Sequence, residues 1–119
     1  MNKVLIVDDN MDIRELLQKA LQMMCYESTT VSTREEALLR LKKHEYDAII
    51  LDWAMNGMKI EDFLAALKKM KKAPPVILCT AANNAPAKAR ALGLTRYIGK
   101  PFDLAMLDAT IRGSLVSSV

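Results

Sequence analysis

Near its start the chain reads Val4-Leu5-Ile6-Val7-Asp8-Asp9-Asn10, an unbroken apolar run that stops at two carboxylates. Comparable apolar runs recur at 48–51, 76–78 and 97–98, with a weaker one at 27–31. Strands of a parallel sheet are buried on both faces and read as continuous apolar runs, whereas half-exposed strands alternate apolar and polar residues. The pattern therefore predicts five short strands in a buried parallel sheet.

Segments with helical periodicity separate these runs. The apolar residues predicted to form the helix faces are Ile13, Leu16, Leu17, Ala20 and Met24; Ala37, Leu38 and Leu41; Ile60, Phe63, Leu64, Leu67 and Met70; Ala85 to Leu92, closed by Gly93; and Leu104, Leu107 and Ile111. Asn10 and Asp103 are predicted N-caps, and Ser32 with Glu35 has the spacing of a capping box. Five alternations of strand and helix imply right-handed crossovers and a three-layer α/β fold.

Length and composition indicate one globular domain. The chain has 119 residues, 51% of them hydrophobic and 26% charged, so residues 1–119 are expected to form a single unit. No apolar run is long enough to cross a bilayer, and the start lacks the apolar segment of a signal peptide. Cys25 and Cys79 lack metal-binding spacing and fit reduced thiols in a cytoplasmic protein. A net charge of +3 without a basic, aromatic-rich patch gives no indication of nucleic-acid binding.

Polar residues stand at the predicted carboxyl ends of four strands. Asp8 and Asp9 follow the first strand, Asp52 ends the third, Thr80 the fourth and Lys100 the fifth. Sites in open α/β sheets lie at this edge, so we expect these side chains to converge there. Neighbouring carboxylates repel one another and need a cation to stay ionised, and oxygen ligands without cysteine or histidine favour Mg²⁺. The sequence therefore predicts an acidic Mg²⁺ site with a hydroxyl and an amine beside it.

Four segments carry a resemblance to a known family. They are Val4-Leu5-Ile6-Val7-Asp8-Asp9-Asn10, Ile49-Ile50-Leu51-Asp52-Trp53-Ala54-Met55, Leu78-Cys79-Thr80-Ala81 and Tyr97-Ile98-Gly99-Lys100-Pro101-Phe102. In order and spacing they resemble the receiver domains of the two-component response-regulator family, across nearly the whole chain. The resemblance implies a flavodoxin-like receiver fold, in which five helices cover a doubly wound, five-stranded parallel sheet of strand order 2-1-3-4-5.

The resemblance also implies a phosphoryl-accepting role for the acidic site. Asp52 would take a phosphoryl group, and Mg²⁺ would be held by Asp9, Asp52 and the backbone carbonyl of Ala54, with Asp8 acting mainly through bound water. Lys100 would neutralise charge on the phosphoryl oxygens. The protein would then catalyse only its own phosphorylation and dephosphorylation and would not be an enzyme acting on a separate substrate.

A switch and a set of partners follow from the same resemblance. Thr80 would donate its hydroxyl to a phosphoryl oxygen and Tyr97 would move inward with it, which changes the surface of the fourth helix, fifth strand and fifth helix. Ala54 and Ala82 occupy positions that tune dephosphorylation in the family; neither can orient water, so a long-lived acyl phosphate is expected. The implied partners are a histidine kinase or histidine phosphotransfer protein, a downstream effector protein and, as a further candidate, a phosphatase, with no membrane and no direct nucleic-acid contact.

The chain departs from the family pattern after the third strand. Asn56 stands where the family usually has proline, and Ile60 where it usually has glycine, so Gly57 is expected to form the turn instead. These departures leave open a non-phosphorylated receiver used only for docking, and the chain could also be the receiver fragment of a longer regulator. A haloacid-dehalogenase-type phosphohydrolase is disfavoured because Ala54 stands where its second aspartate would be.

Overall fold

Strands and helices alternate throughout residues 2–81 and 83–117, which the computed structural model of the protein describes. The strands are β1 (Lys3–Val7), β2 (Glu27–Val31), β3 (Ala48–Asp52), β4 (Val76–Ala81) and β5 (Arg96–Lys100). The helices are α1 (Met11–Met23), α2 (Arg34–Lys43), α3 (Ile60–Lys68), α4 (Ala85–Ala91) and α5 (Leu104–Ser117). Over these described residues the strands pair in parallel in the order β2-β1-β3-β4-β5, which confirms the predicted architecture.

The sheet separates two hydrophobic cores, one on each face. Alternate residues of β1 enter opposite cores: Val4 and Ile6 pack on the side of α1 and α5, whereas Leu5 and Val7 pack on the side of α2 and α3. All four are fully buried. Because successive side chains of a strand point to opposite faces, a strand buried on both sides must be apolar at every position. This is the physical origin of the unbroken apolar runs in the sequence.

Helix caps fix where the chain leaves the sheet. The side chain of Asn10 accepts a hydrogen bond from the backbone N–H of Ile13 at 3.1 Å, and Asp103 accepts one from Met106 at 2.7 Å, so both predicted caps are confirmed. Gly93 follows α4 with a φ of +73°, the left-handed conformation expected of a residue that closes a helix.

The predicted capping box of α2 is wrong by one residue. Thr33, not Ser32, is the N-cap, and its hydroxyl accepts a hydrogen bond from the backbone N–H of Glu36 at 3.0 Å. The Glu36 carboxylate in turn accepts from the backbone N–H of Ser32 at 3.3 Å. The sequence offers the same spacing twice, as Ser32 with Glu35 and as Thr33 with Glu36. The structure uses the second pair, and Ala37 in the following turn is buried.

Two leucines predicted to face the core are exposed instead. Leu16 is 54% exposed because the core-facing stripe of α1 is centred on Leu17 and Leu21. Leu104 is 45% exposed at the first position of α5, whereas Leu107 and Ile111 of the same helix are fully buried. In the described residues, none of the helices is both long and apolar enough to span a membrane.

Candidate functional site

Three carboxylates meet where β1 and β3 end. The pairing of Val7 with Leu51 brings the residues that follow, Asp8 and Asp52, side by side at the carboxyl edge of the sheet. One carboxylate oxygen from each of Asp8, Asp9 and Asp52 lies within 4.8 Å of the others. Asp8 and Asp52 are buried, whereas Asp9 is exposed. The structure thus brings together the three acidic residues that the sequence places at this edge.

Lys100 reaches this cluster from the carboxyl end of β5, the outermost strand on this side of the sheet. Its Nζ lies 3.2 Å from Oδ1 of Asp52 and 3.4 Å from Oδ2 of Asp8, and it donates a hydrogen bond to each. One ammonium therefore serves two buried carboxylates, while the three carboxylates together carry more negative charge than it can neutralise. Such an excess of negative charge favours the binding of a cation.

Burial and charge shift the titration of the cluster. Burial raises the pKa of Asp52, the negative charge of Asp8 raises it further, and Lys100 partly opposes both effects. Burial alone would lower the pKa of Lys100, but its interactions with the neighbouring Cys79 thiol and with the negative charges of Asp52 and Asp8 together raise it. Since burial also raises the pKa of the Cys79 thiol to about 12, Cys79 is neutral at pH 7 and the two carboxylates hold Lys100 in its charged form.

Backbone contacts hold the Asp8 carboxylate and the turn that follows it. Oδ1 of Asp8 accepts a hydrogen bond from the backbone N–H of Asn10 at 2.9 Å, and the Asp8 carbonyl accepts one from the Arg14 guanidinium at 2.8 Å. These contacts leave Oδ2 of Asp8 to face Lys100. The start of α1 therefore fixes the orientation of one wall of the site.

Arg34 organises the loop after β3, which carries the Ala54 carbonyl. Its guanidinium donates hydrogen bonds to the carbonyls of Asp52 and Trp53, both at 3.0 Å, and of Met58 at 2.7 Å. Arg34 is 2% exposed although it is the first residue of α2. Sequence reasoning gave no role to Arg34, because its partners lie 18 to 24 residues away and no local pattern signals them.

Gly57 and Ile60, where the sequence after β3 departs from the usual family pattern, have structural roles. Gly57 adopts a φ of +91°, as expected for a glycine that forms the turn in place of the usual proline-containing sequence. Ile60 begins α3 and is buried in the core beneath it. The loop is therefore held by a left-handed glycine, the Arg34 guanidinium and a buried isoleucine.

Thr80 lies at the end of β4 beside a lysine that the sequence analysis did not single out. The hydroxyl of Thr80, which is 5% exposed, accepts a hydrogen bond from Nζ of Lys88 at 3.3 Å. The same Nζ lies 3.7 Å from the centroid of the Trp53 ring, within the range of a cation–π interaction. Tyr97 lies on β5 and is 42% exposed, so it faces outward in this structure. Ala82 lies outside the described residues.

Comparisons with known proteins identify the family to which the chain belongs. A family model described as the response regulator receiver domain matches residues 4–112. Among curated proteins, the uncharacterized transcriptional regulatory protein YkoG of Bacillus subtilis is 33% identical over 114 residues, which are 94% of this chain and 50% of that protein. The two-component response regulator PhoP of Pseudomonas aeruginosa is 30% identical over 115 residues, 95% of this chain and 51% of that protein. The chain thus spans about half the length of these curated relatives.

Two solved structures are similar to this chain over nearly the whole length of both proteins. The chemotaxis response regulator CheY4 of Vibrio cholerae is 33% identical with a TM-score of 0.85, and the match covers 97% of this chain and 99% of that one. A putative response regulator from Chloroflexus aurantiacus is 27% identical with a TM-score of 0.88, covering 97% and 98%. Since the family model covers all five strands except Lys3 and includes the carboxylate cluster at the edge of the sheet, the chain belongs to the response regulator receiver domain family.

Proposed function

We propose that this domain accepts a phosphoryl group on Asp52 and signals through protein contacts. The observation that supports the proposal best is the setting of the Asp52 carboxylate, which is buried beside Lys100 and grouped with two further carboxylates. The donor would be the phosphohistidine of a histidine kinase or of a histidine phosphotransfer protein, since response regulators act downstream of such proteins. We place the domain in the cytoplasm, where these donors present their phosphohistidine.

The transfer would use the free oxygen of Asp52. Lys100 and the backbone N–H of Ala54, at 3.4 Å, both donate to Oδ1, which leaves Oδ2 to attack the phosphorus. A new P–O bond forms while the P–N bond of the phosphohistidine breaks, and its electron pair returns to the imidazole. Lys100 would stay beside the carboxylate and neutralise charge on the phosphoryl oxygens, so that the protein acts by positioning and electrostatics.

The donor set fits Mg²⁺, which receiver domains of this family generally use at an acidic pocket. Asp8, Asp9 and Asp52 supply hard oxygen ligands within 4.8 Å of one another, and no cysteine or histidine among the described residues joins them. We propose that these carboxylates and the carbonyl of Ala54 hold the ion. When bound, Mg²⁺ neutralises negative charge on the phosphoryl group.

Signalling would begin at Thr80 and end on the face formed by α4, β5 and α5. The Thr80 hydroxyl would donate to a phosphoryl oxygen, and Thr80 pairs with Gly99 on β5, the strand that carries Tyr97. A shift of Thr80 would therefore reach Tyr97 through neighbouring strands, and we propose that Tyr97 moves inward and changes the surface that an effector protein reads. The domain would change only its own phosphorylation state, and residues 1–119 would contact proteins rather than nucleic acid or membrane.

The lifetime of the phosphoryl group is set by what surrounds it. Ala54 is exposed at the mouth of the site, and its methyl group cannot orient a water molecule for attack. We therefore propose that the acyl phosphate is long-lived until a partner phosphatase acts. The same domain would serve equally as a separate protein or as the receiver part of a longer regulator.

A small-molecule phosphoryl donor tests the proposal without knowledge of the kinase. We would incubate the protein with acetyl phosphate and Mg²⁺ and measure the intact mass. The proposal predicts the addition of one phosphoryl group in the wild type and in Asp12→Asn, whose carboxylate is exposed on α1, but not in Asp52→Asn. An unmodified wild type, or an Asp52→Asn variant that is modified equally, would contradict the proposal and favour a domain used only for docking.

A further inference from the structure

Lys88 holds a second ammonium group at the edge of the Asp52 site. It is the fourth residue of α4, and helical side chains lean toward the N-terminus of their helix, which here follows the carboxyl end of β4. This direction brings Nζ to 3.3 Å from the Thr80 hydroxyl and 3.7 Å from the centroid of the Trp53 ring. Lys88 therefore contacts both Trp53, the residue that follows Asp52, and the hydroxyl of Thr80.

The charge on Lys88 has no carboxylate partner in the part of the chain that the structure describes. Lys100 contacts two carboxylates, whereas Lys88 contacts a hydroxyl and an aromatic face among the described residues. An ammonium has three donor hydrogens, and the contact with Thr80 uses one of them. The remaining donors and the full positive charge are available to an anion that arrives at the site.

A phosphoryl group on Asp52 would supply such an anion. At pH 7 it carries between one and two negative charges in place of the single charge of the Asp52 carboxylate, and it lies beside Asp8 and Asp9, which already outweigh one lysine. If Thr80 donates its hydroxyl to a phosphoryl oxygen, that oxygen comes within a few ångströms of a cation that contacts the same hydroxyl. Charge-assisted contacts of this kind are the stronger class of hydrogen bond.

We propose that Lys88 is a second phosphoryl-binding cation of this site, held ready by Thr80 and by the Trp53 ring. The inference rests on the proposed phosphorylation of Asp52 and adds a residue from α4 to the groups that bind the phosphoryl oxygens. On phosphorylation the ammonium leaves the Trp53 ring and donates to a phosphoryl oxygen. Lys88 belongs to α4, which is part of the proposed signalling surface of α4, β5 and α5. The phosphoryl group would therefore contact this surface directly through Lys88, in addition to the route through Thr80.

Beryllofluoride, a stable stand-in for the phosphoryl group, tests this role. We would measure its affinity at saturating Mg²⁺ by ¹⁹F nuclear magnetic resonance for the wild type, Lys88→Met, Lys88→Arg and Arg90→Met. Arg90 is an exposed basic residue of the same helix and serves as the matched control. We expect Lys88→Met to lose about tenfold or more in beryllofluoride affinity, as for a lost charge-assisted hydrogen bond, with Mg²⁺ affinity unchanged. Lys88→Arg and Arg90→Met should bind nearly as the wild type does.

The outcomes separate this inference from the proposal on which it rests. Wild-type binding together with equal affinity in Lys88→Met would overturn the role of Lys88 and leave the phosphorylation of Asp52 intact. Equal losses in Lys88→Met and Arg90→Met would also overturn it, because they would indicate a general effect of the charge on α4. Failure of the wild type to bind beryllofluoride would overturn both. Amide spectra of the free variants verify that each remains folded.

Discussion

Nζ of Lys100 lies 3.2 Å from Oδ1 of Asp52, although 48 residues separate them in the chain. The same ammonium lies 3.4 Å from Oδ2 of Asp8, so one lysine at the end of β5 compensates two buried carboxylates, Asp8 just after β1 and Asp52 at the end of β3. In the resting protein this contact offsets part of the cost of burying Asp52. In the proposed reaction the same charge faces the phosphoryl oxygens.

Removal of this charge should destabilise the metal-free protein. We expect Lys100→Met to lower the free energy of unfolding by about 1–2 kcal/mol, because two buried carboxylates lose their cation while partial exposure of the lysine limits the cost. Urea unfolding with a chelator present measures the change. Lys19→Met, on the exposed face of α1, is the control and should unfold as the wild type does. Equal stability of Lys100→Met and the wild type would mean that the contacts of Lys100 with Asp8 and Asp52 contribute nothing to the free energy of unfolding.

Stability without metal should also depend on the protonation of Asp52. Burial and Asp8 raise the pKa of Asp52, so the folded protein binds this proton more tightly than the unfolded chain does. The resulting stability is complete below the pKa of an unfolded aspartate and is lost as the pH rises through the higher folded value. We therefore expect Asp52→Asn to raise the free energy of unfolding at pH 7, with a difference that shrinks at acid pH. Urea titrations of both proteins across this range would contradict the account if Asp52→Asn were less stable at pH 7.

Asp9 should affect metal binding without affecting the fold. Its carboxylate belongs to the cluster but is exposed, so its removal leaves no buried group unpaired. We expect Asp9→Asn to weaken Mg²⁺ binding by about tenfold or more, the size of a lost charged ligand contact. Urea unfolding in a chelator should remain within about 0.5 kcal/mol of the wild type. A calorimetric Mg²⁺ titration that gave the same affinity for both proteins would remove Asp9 from the ligand set.

Arg34 should stabilise the loop after β3, although its position at the start of α2 gives no sign of this in the sequence. Its loss leaves three backbone carbonyls without their donor, two of them at Asp52 and Trp53. We expect Arg34→Met to lower the free energy of unfolding by about 2–4 kcal/mol and to speed amide exchange over residues 53–58. Arg34→Lys should recover only part of the stability, since the single ammonium of a lysine cannot replace two guanidinium nitrogens that donate to different carbonyls. Unchanged exchange in Arg34→Met would show that other contacts hold the loop.

Ala54 gives a direct test of the phosphoryl lifetime. Because its side chain is exposed at the mouth of the site, a larger polar residue fits there without repacking. We expect Ala54→Asn to speed loss of the phosphoryl group by about threefold to tenfold, since a carboxamide can orient the attacking water. The decay is followed by intact mass after removal of the donor. Loss within seconds from the wild type itself would contradict the expected long lifetime.

Local features of the sequence predicted the five parallel strands and the carboxylate cluster, whereas the strand order followed from the family resemblance. A short unbroken apolar run such as Val4 to Val7 fits a strand buried on both faces, and parallel strands bring their carboxyl ends to one edge. Contacts between distant segments were not predictable: Arg34 at the start of α2 holds carbonyls after β3, and Lys88 on α4 meets Trp53. The cap of α2 was misplaced because Ser32 with Glu35 and Thr33 with Glu36 offer the same capping-box spacing, and the sequence alone did not distinguish them.

The single tryptophan gives the most direct measurement of the central claim, that Asp52 is a working phosphoryl acceptor. Trp53 follows Asp52, its ring is 38% exposed and Lys88 lies over it, so its fluorescence should respond to charge at the site. We would titrate Mg²⁺ and then beryllofluoride into the wild type and Asp52→Asn. The account predicts a saturable change at each step in the wild type and no beryllofluoride step in the variant. Flat traces, with amide spectra around Asp9 and Asp52 also unchanged, would contradict it and would favour a receiver that only docks.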